Sequence, residues 1–338
     1  MTHLRYFIPL VQEAQKRQIK SSFYITPSNK YNCPLKSSAT KTLGELSEAY
    51  GITLRPVAHL RDAKGVIFTS EESGVKMMAA LDGLTKISMT YQTDFTISYH
   101  KYIDDVDYVM MPSEFVARYY NLETPKNLYL GITKYDVPLK SSDTCNKYGL
   151  NPTAKRVTFM WPKQRDLSKM PIHIIDSLGD LGYQVLIKTR GKDLVESKYR
   201  TKYEKAGHRF FSDDSWYPHT TQELIEISDL VINGGSTTIE ECVMHNTPLI
   251  NFDIKPQVRH GISREHRVTH DYLYKYPYCL DLKGLPKDFS THMLAQMIQS
   301  LITNSWEDEF TECRQRHLFD HSNTSEKVLN FLEESVFE

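Results

Sequence analysis

Residues 228–241 have the sequence SDLVINGGSTTIEE, in which an apolar run leads through two glycines and three hydroxyl side chains to a pair of glutamates. A buried strand that turns through glycines into a helix is typical of α/β proteins with parallel sheets. Glycines let a backbone approach a ligand closely, and the N–H groups and dipole of the following helix favour a phosphate. We therefore predict an anion site at Gly234, Gly235, Ser236 and Thr237.

The two glutamates lie one helical turn beyond this predicted anion site. A carboxylate at that place can accept hydrogen bonds from ribose hydroxyls. Consecutive helical residues are about 100° apart, so only one of Glu240 and Glu241 can face the ligand. We prefer Glu241, which lies four residues after Thr237 on the same face. The stretch is neither a Walker A loop nor a GxGxxG fingerprint. The alternative is a ligand-free turn with Ser236 as the helix cap.

Two other strand-like runs in this half of the chain end in basic residues. The sequence WPKQRD directly after the run RVTFM supplies Lys163 and Arg165, and the run QVLIK leads to Lys188 and Arg190. Ligands of open parallel sheets bind beyond the carboxyl ends of the strands, and Lys and Arg are suited to diphosphate. We predict that these four residues bind the same anion. For each of these two Lys–Arg pairs considered alone, the alternative is that its side chains are solvated surface charges without a ligand.

A fourth loop, residues 212–219 with the sequence SDDSWYPH, also follows a strand-like run. Its aromatic rings can stack on a nucleobase, and its polar atoms can bind the edge of the base. We predict base contacts from Ser212, Asp213 and Trp216. The alternative is that Trp216 packs against the core.

Apolar strand-like runs alternate with helix-period segments along the whole chain, as in α/β proteins. The periodicity predicts these elements in the first half: a helix over 3–18, strands over 22–26, 65–70, 86–90, 107–111 and 127–131, and a helix over 114–120 capped by Ser113. In the second half it predicts strands over 156–160, 184–188, 208–211, 230–233 and 248–252, with helices over about 168–182, 193–206, 220–228 and 237–246.

These elements form two α/β halves of similar size. We assign residues 1–140 to an N-terminal domain and residues 155–320 to a C-terminal domain. The polar residues 141–154 between them are the predicted linker. Residues 321–338 are expected to form a C-terminal helix that packs back on the N-terminal domain. Because the first half opens with a helix, either its first strand is missing or its sheet is one strand smaller.

Composition excludes several classes of protein. The 338 residues include 41 Lys+Arg against 42 Asp+Glu, which argues against a polybasic nucleic-acid arm or membrane anchor. With 40% hydrophobic and 25% charged residues, the chain is not disordered. It has no apolar run long enough for a transmembrane helix, and its first residues lead us to expect no secretory signal. Five scattered cysteines without a CxxC pair indicate reduced thiols and no structural zinc.

Two groups of motifs resemble the GT-B superfamily of nucleotide-sugar transferases. The stretch GSTTIEECVMHNTPLI is similar to the corresponding motif of UDP-N-acetylglucosamine 2-epimerase relatives. The order of motifs in the second half resembles the CDP-glycerol glycerophosphotransferases. The matching segments are Gly131–Asp136, Pro162–Asp166, a strand that ends at Lys188, Ile227–Thr238 and Ser325–Val328. Together they cover roughly residues 127–335.

The resemblance implies a GT-B fold, in which two Rossmann-like domains with parallel sheets face each other across a cleft. It also implies a nucleotide-diphosphate sugar, UDP- or CDP-linked, as co-substrate in the C-terminal domain, with no other cofactor and no metal. Retaining members carry a Glu-x7-Glu pair, whereas Pro248 and Leu249 stand eight residues after Glu240 and Glu241. This difference predicts an inverting glycosyltransferase, in which a base in the N-terminal domain deprotonates the acceptor hydroxyl.

Two residues are candidates for that base. The start of the chain resembles the Gly-His-x-x-Pro opening of UDP-glycosyltransferases, which implies His3, although the spacing to Pro9 differs. The His-Gly pair of the glycerophosphotransferases is absent from the region that contains Asp94. We favour Asp94 over His3, because it follows a buried strand and a base must be held close to its proton. The alternatives are a helix cap for Asp94 and a solvated terminal histidine for His3.

Several assignments stay open from sequence. A sugar-nucleotide epimerase would need cleft carboxylates such as Asp94, Glu114 and Asp136, and a glycerophosphotransferase would use a related donor. A non-catalytic protein of the same fold would bind a nucleotide sugar without converting it. The acceptor could be a glycan, a lipid-linked polymer, a small molecule or modified DNA. We expect a cytoplasmic protein, peripheral to a membrane if the acceptor is lipid-linked.

Overall fold

The computed structural model describes residues 6–25, 44–45, 47–70, 72–90, 92–95, 102–189, 195–212, 214, 217–254, 258–259, 262–263, 266–285, 288–318 and 323–337. The chain divides into two compact units, Met1–Val137 with Phe319–Glu338, and Pro138–Leu318. Each unit contains a parallel sheet with helices, which confirms the predicted α/β class. Over the described ranges, every helix is too short or too polar to cross a bilayer.

The first unit has two separate groups of parallel strands. β1 pairs with β2, and β3 to β6 form a four-stranded sheet in that order. Its elements are α1 (Ile8–Lys16), β1 (Ser22–Ile25), β2 (Thr53–Pro56), β3 (Gly65–Thr69), α2 (Glu72–Ala79), β4 (Leu84–Met89), β5 (Tyr108–Met110), α3 (Glu114–Tyr119) and β6 (Asn127–Leu128). Ser113 caps α3 as predicted, because its hydroxyl accepts the N–H of Val116 at 3.2 Å.

The second unit contains a six-stranded parallel sheet. Its elements are α4 (Ser141–Tyr148), β7 (Arg156–Met160), α5 (Ile174–Asp180), β8 (Gln184–Lys188), α6 (Ser197–Lys205), β9 (Arg209–Phe211), α7 (Thr220–Glu226), β10 (Leu230–Asn233), α8 (Thr238–Met244), β11 (Leu249–Phe252), β12 (Val258–Arg259), β13 (Ile262–Ser263), α9 (Val268–Asp271), β14 (Cys279–Leu282), α10 (Thr291–Ile302) and α11 (Glu307–His317). The predicted bounds of β7, β8 and β10 are those observed. Helix α5 is shorter than predicted, because Pro171 disfavours helical backbone at Met170.

The strand order of this sheet is β14-β11-β10-β7-β8-β9. β7, the first strand, therefore lies in the middle, with β8 on one side and β10 on the other. The chain runs outward through β8 and β9 and then crosses to the other side of β7. Ligands of open α/β sheets bind at such a reversal, beyond the carboxyl ends of the two strands. The topology thus places the loops after β7 and β10 side by side.

Of residues 141–154, predicted as a linker, only 149–154 form an irregular connection. Residues 141–148 are the helix α4, and it packs on α7 within the second unit. The carboxylate of Glu223, which is buried, accepts hydrogen bonds from Lys147 Nζ at 2.7 Å and the Tyr148 hydroxyl at 2.5 Å. Burial and the neighbouring Glu223 raise the pKa of Tyr148, so its hydroxyl stays protonated and donates.

The last helix, α12 (Thr324–Ser335), belongs to the first unit and packs on α1 through a shared apolar cluster. Its amino end is capped from a distant part of the chain. The carboxylate of Asp136 accepts the N–H groups of Thr324 at 3.0 Å and Ser325 at 2.5 Å. Arg17 of α1 donates to Asn330 at 2.8 Å. Asp136 thus serves the fold, and burial raises its pKa despite these hydrogen bonds.

We expect Asp136→Ala to loosen α12 from its unit, because two N–H groups at the start of the helix lose their acceptor. The loss is about 1–2 kcal/mol, or a 5- to 30-fold faster hydrogen exchange of the α12 amides. The control is Asp143→Ala, which removes an exposed carboxylate from the first turn of α4. Unchanged exchange of α12 in Asp136→Ala, or equal effects in both variants, would show that Asp136 does not hold the helix.

Candidate functional site

The turn after β10 depends on both of its glycines. Gly234 is buried, and a Cβ atom on it would come within 2.8 Å of Ile254 Cδ1. Gly235 has a φ of 62°, in the left-handed region that side chains disfavour. Both glycines are therefore required by the turn itself, and their predicted part in binding an anion stays a prediction.

Two buried asparagine side chains fix the conformation of this turn through hydrogen bonds. Asn233 ends β10 and is paired in register with Asn251 of β11, and their side chains are hydrogen-bonded at 3.2 Å. Asn251 Oδ1 accepts the N–H of Gly235 at 2.8 Å, and Asn233 Oδ1 accepts the N–H of Ser236 at 3.3 Å. Asn251 Nδ2 in turn donates to Asp281 of β14 at 2.6 Å. A ladder of polar side chains across three strands thus fixes the loop.

These contacts change which groups of the loop are available to an anion. The N–H groups of Gly235 and Ser236 are used inside the turn, contrary to the prediction that the loop's freed N–H groups face a phosphate. Among the residues that the structure describes, no partner contacts the N–H groups of Thr237 and Thr238. The hydroxyls of Ser236 and Thr237 are likewise unbonded within the described ranges and are half-buried. These four groups are the loop's available donors.

The predicted basic residues are placed unequally. Lys188 is buried, and its Nζ donates to the carbonyl of Thr189 at 2.7 Å, so it lies against the end of its own strand. Lys163 is half-buried in the loop after β7. Arg165 in the same loop is largely exposed, with its Nε 3.7 Å from the carboxylate of Asp166. Arg190 lies outside the described residues.

Asp166 is a residue that the sequence did not single out as part of the site. It stands in the turn Gln164–Lys169 after β7, and its side chain is only 4% exposed. Over the described part of the chain, its Oδ2 atom accepts no hydrogen bond. A buried carboxylate with an unsatisfied oxygen costs stability. Arg165 Nε, 3.7 Å away, is beyond hydrogen-bond distance of this oxygen, so the carboxylate is a candidate ligand contact at the strand-order reversal.

The remaining predicted donor contacts differ in how accessible they are. Glu240 is fully buried, whereas Glu241 on α8 is half-buried, so only Glu241 presents a surface to a ligand. Ser212 is engaged in its own loop, where its N–H and hydroxyl donate to Asp214 at 2.8 and 3.1 Å. Asp213 and Trp216 lie outside the described residues.

The candidate bases belong to the first unit. His3 lies outside the described residues. Asp94 follows β4 in the short turn Thr93–Phe95, is buried, and accepts a hydrogen bond from the Tyr120 hydroxyl at 3.2 Å. Of the other carboxylates considered for an epimerase, Glu114 is exposed and paired with Arg118 at 2.7 Å, and Asp136 caps α12. Over the described ranges, no cluster of His, Cys, Asp and Glu side chains has the arrangement of a metal site.

Comparisons with known proteins find likeness in structure but not in sequence. No protein-family model matches the chain, and no curated protein matches it. A variant of the wall teichoic acid polymerase TagF matches with a TM-score of 0.64 and 11% identity over 96% of this chain and 84% of that one. The UDP-GlcNAc 2-epimerase from Neisseria meningitidis, bound to UDP-GlcNAc, matches with a TM-score of 0.62 and 11% identity over 99% and 98%.

The protein has a GT-B-type fold. Both neighbours have this fold, which confirms the fold that the motif order implied. The signal for Asn251 and Asp281, which sequence analysis missed, is a polar residue in register at or near the carboxyl end of adjacent strands. Tyr274, which also contacts the loop, gives no comparable signal, because it lies outside the strands, in the short 3-10 helix Leu273–Lys275, 38 residues away from Ser236.

We expect Asp166→Asn to leave the fold as stable as the wild type or to stabilise it by about 1 kcal/mol, because the substitution removes a buried charge. Thermal denaturation measures the change. The control is Asp229→Ala, since the carboxylate of Asp229 accepts the N–H of Arg156 at 2.7 Å and removal of this acceptor is expected to destabilise the unit. A clear loss of stability in Asp166→Asn would mean that the carboxylate serves the fold.

Proposed function

We propose that the protein is an inverting, metal-independent glycosyltransferase that moves a sugar from a nucleotide-diphosphate donor to an acceptor hydroxyl. One observation carries the proposal: the loop after β10 stands at the strand-order reversal, is locked by buried amides, and keeps the donors of Ser236, Thr237 and Thr238 unbonded within the described residues. Donors that are fixed before a ligand arrives stabilise developing negative charge without reorganisation.

The leaving diphosphate is the group that this loop would stabilise. In an inverting transfer, the acceptor hydroxyl attacks the anomeric carbon as the bond from that carbon to the diphosphate breaks. The departing oxygen gains charge, which the loop donors and the cations of Lys163 and Arg165 offset. Lys188 and Arg190 complete the proposed cationic surroundings. Glu241 is the proposed ribose contact, and Ser212, Asp213 and Trp216 are the proposed base contacts.

Asp94 is the proposed general base, and His3 is the second candidate. A base must stay within hydrogen-bond reach of the proton that it accepts. Burial and the Tyr120 hydroxyl hold the carboxylate of Asp94 in place, which supports its choice as the base. Epimerisation is less favoured, since Glu114 and Asp136 are engaged by Arg118 and by α12.

The experiment that tests the function has two stages. A thermal-shift screen over nucleoside diphosphates identifies the donor base, because a ligand at 100 times its Kd stabilises by about 2.7 kcal/mol. The matching sugar nucleotides are then incubated with acceptor mixtures, with and without EDTA. We expect acceptor-dependent, EDTA-insensitive release of the nucleoside diphosphate and inversion at the anomeric carbon. Acceptor-free formation of an epimer, or binding without turnover, would contradict the proposal.

The loop hydroxyls supply a prediction that does not need the acceptor. We expect the double variant Ser236→Ala with Thr237→Ala to weaken binding of the nucleoside diphosphate about 10-fold, because two donors to the anion are lost. Binding of the nucleoside alone is expected to stay the same. The control double variant is Ser197→Ala with Thr201→Ala on the exposed face of α6. Equal losses for nucleoside and nucleoside diphosphate in calorimetry would exclude a phosphate role.

The base is tested by comparing Asp94→Asn with His3→Ala. The residue that accepts the proton should lose about 100-fold or more in turnover, while donor affinity is unchanged. Turnover and donor affinity are measured separately for each variant. If neither variant shows this separation, neither residue is the base.

A further inference from the structure

The peptide group between Ser236 and Thr237 is fixed by hydrogen bonds to its carbonyl oxygen. The carbonyl oxygen of Ser236 accepts hydrogen bonds from the Tyr274 hydroxyl at 2.7 Å, from Asn233 Nδ2 at 3.0 Å and, at the longer distance of 3.5 Å, from the N–H of Ile239 in the first turn of α8; the two side chains are its short-range donors. Both donors are buried, with Asn233 fully buried and Tyr274 6% exposed. They turn this carbonyl toward the interior of the second unit.

The direction of the carbonyl determines what the loop presents on its other side. The C=O and N–H bonds of a trans peptide point in opposite directions. Because the Ser236 carbonyl points inward, the N–H of Thr237 points away from the buried amides. If this peptide turned over, a carbonyl oxygen would replace the N–H at the anion site and repel the ligand. The affinity of the loop for an anion therefore depends on which way this one peptide faces.

Tyr274 contributes a bond that the asparagine cannot replace. Asn233 Nδ2 is shared among three acceptors, the Ser236 carbonyl, Asn251 Oδ1 at 3.2 Å and the Tyr274 hydroxyl at 3.2 Å. An NH2 group has only two hydrogens for these three acceptors, whereas the tyrosine hydroxyl gives its one hydrogen to the carbonyl, so loss of the hydroxyl removes the shortest hydrogen bond to the carbonyl. The tyrosine hydroxyl donates to the carbonyl at the shorter distance and accepts from Asn233, which closes the network.

We propose that Tyr274 is a positioning residue that keeps the Ser236–Thr237 peptide with its N–H toward the anion. It thereby sets the affinity of this site for diphosphate. The proposal deepens the proposed function and rests on the anion site at Ser236, Thr237 and Thr238. Tyr274 acts through the backbone and does not itself touch the ligand.

The test replaces the hydroxyl alone. Tyr274→Phe removes one oxygen atom and keeps the ring. The control is Tyr276→Phe, because the ring of Tyr276 stacks on Tyr278 and lies beside His317 instead of contacting the loop. Calorimetry measures the Kd of three probes at one pH and one salt concentration: inorganic pyrophosphate, the nucleoside diphosphate with the largest thermal shift, and its nucleoside. Thermal denaturation of each variant reports on the fold.

We expect Tyr274→Phe to weaken pyrophosphate and the nucleoside diphosphate by about 5- to 30-fold, which corresponds to 1–2 kcal/mol. The nucleoside should bind as it does to the wild type, and Tyr276→Phe should match the wild type with all three probes. A structural role alone would weaken all three probes together. The change in the ratio of nucleoside to pyrophosphate affinity is therefore the deciding result.

Two results would overturn the inference, and they are distinguishable from failure of the proposed function. Unchanged pyrophosphate affinity in Tyr274→Phe, or a uniform loss for all three probes, would show that the hydroxyl does not orient the peptide. If the wild type binds neither pyrophosphate nor any nucleoside diphosphate, the anion site itself is wrong, and the inference fails with it.

Discussion

The hydrogen-bonded pair of Asn233 and Asn251 is the interaction on which the candidate site depends. Both side chains are fully buried, at or near the carboxyl ends of two otherwise apolar strands. Buried amides must be satisfied, and here backbone groups of the following turn satisfy them. The backbone groups of the turn are therefore the hydrogen-bond partners of two strand side chains. A change in the conformation of the turn would leave a buried polar group unpaired.

This constraint connects the topology of the second unit with its chemistry. The crossing from β9 to β10 places β10 beside β7, so the locked turn stands next to the loop that carries Lys163, Arg165 and Asp166. Fixed donors, adjacent cations and a buried carboxylate are then the surroundings that a charged ligand with hydroxyl groups requires. The apolar residues of β7, β8 and β10 support this edge through the main core of the unit.

The sequence was sufficient to predict features that depend on neighbouring residues, such as strand bounds and the two-glycine turn. The strands β7, β8 and β10 are apolar, β-branched runs with polar or glycine boundaries, so their bounds followed from pattern. Helix α4 was missed because its buried side is small, consisting mainly of Thr144 and Cys145, and resembles a loop in composition. The two-glycine turn was likewise visible, since glycines at a strand end mark a tight backbone path.

Long-range partners of the site could not be predicted in the same way. Asn251 and Tyr274 contact the turn from 16 and 38 residues away, and only strand register and tertiary packing bring them there. The same holds for Asp136, a motif residue whose partner is the start of α12, 188 residues later in the chain. The sequence pattern identifies residues that could bind a ligand or take part in catalysis. Tertiary packing decides which of these residues instead make hydrogen bonds that stabilise the fold.

The most direct test of the account uses protein labelled with 15N at threonine, followed by transverse-relaxation-optimised NMR during titration with pyrophosphate. The account predicts that the amide signals of Thr237 and Thr238 shift together and saturate. The amides of Thr158 in β7 and Thr291 in α10 should not move and serve as internal references. If the signals of Thr237 and Thr238 stay in place while pyrophosphate binds, the locked turn is not the anion site and the central claim is wrong.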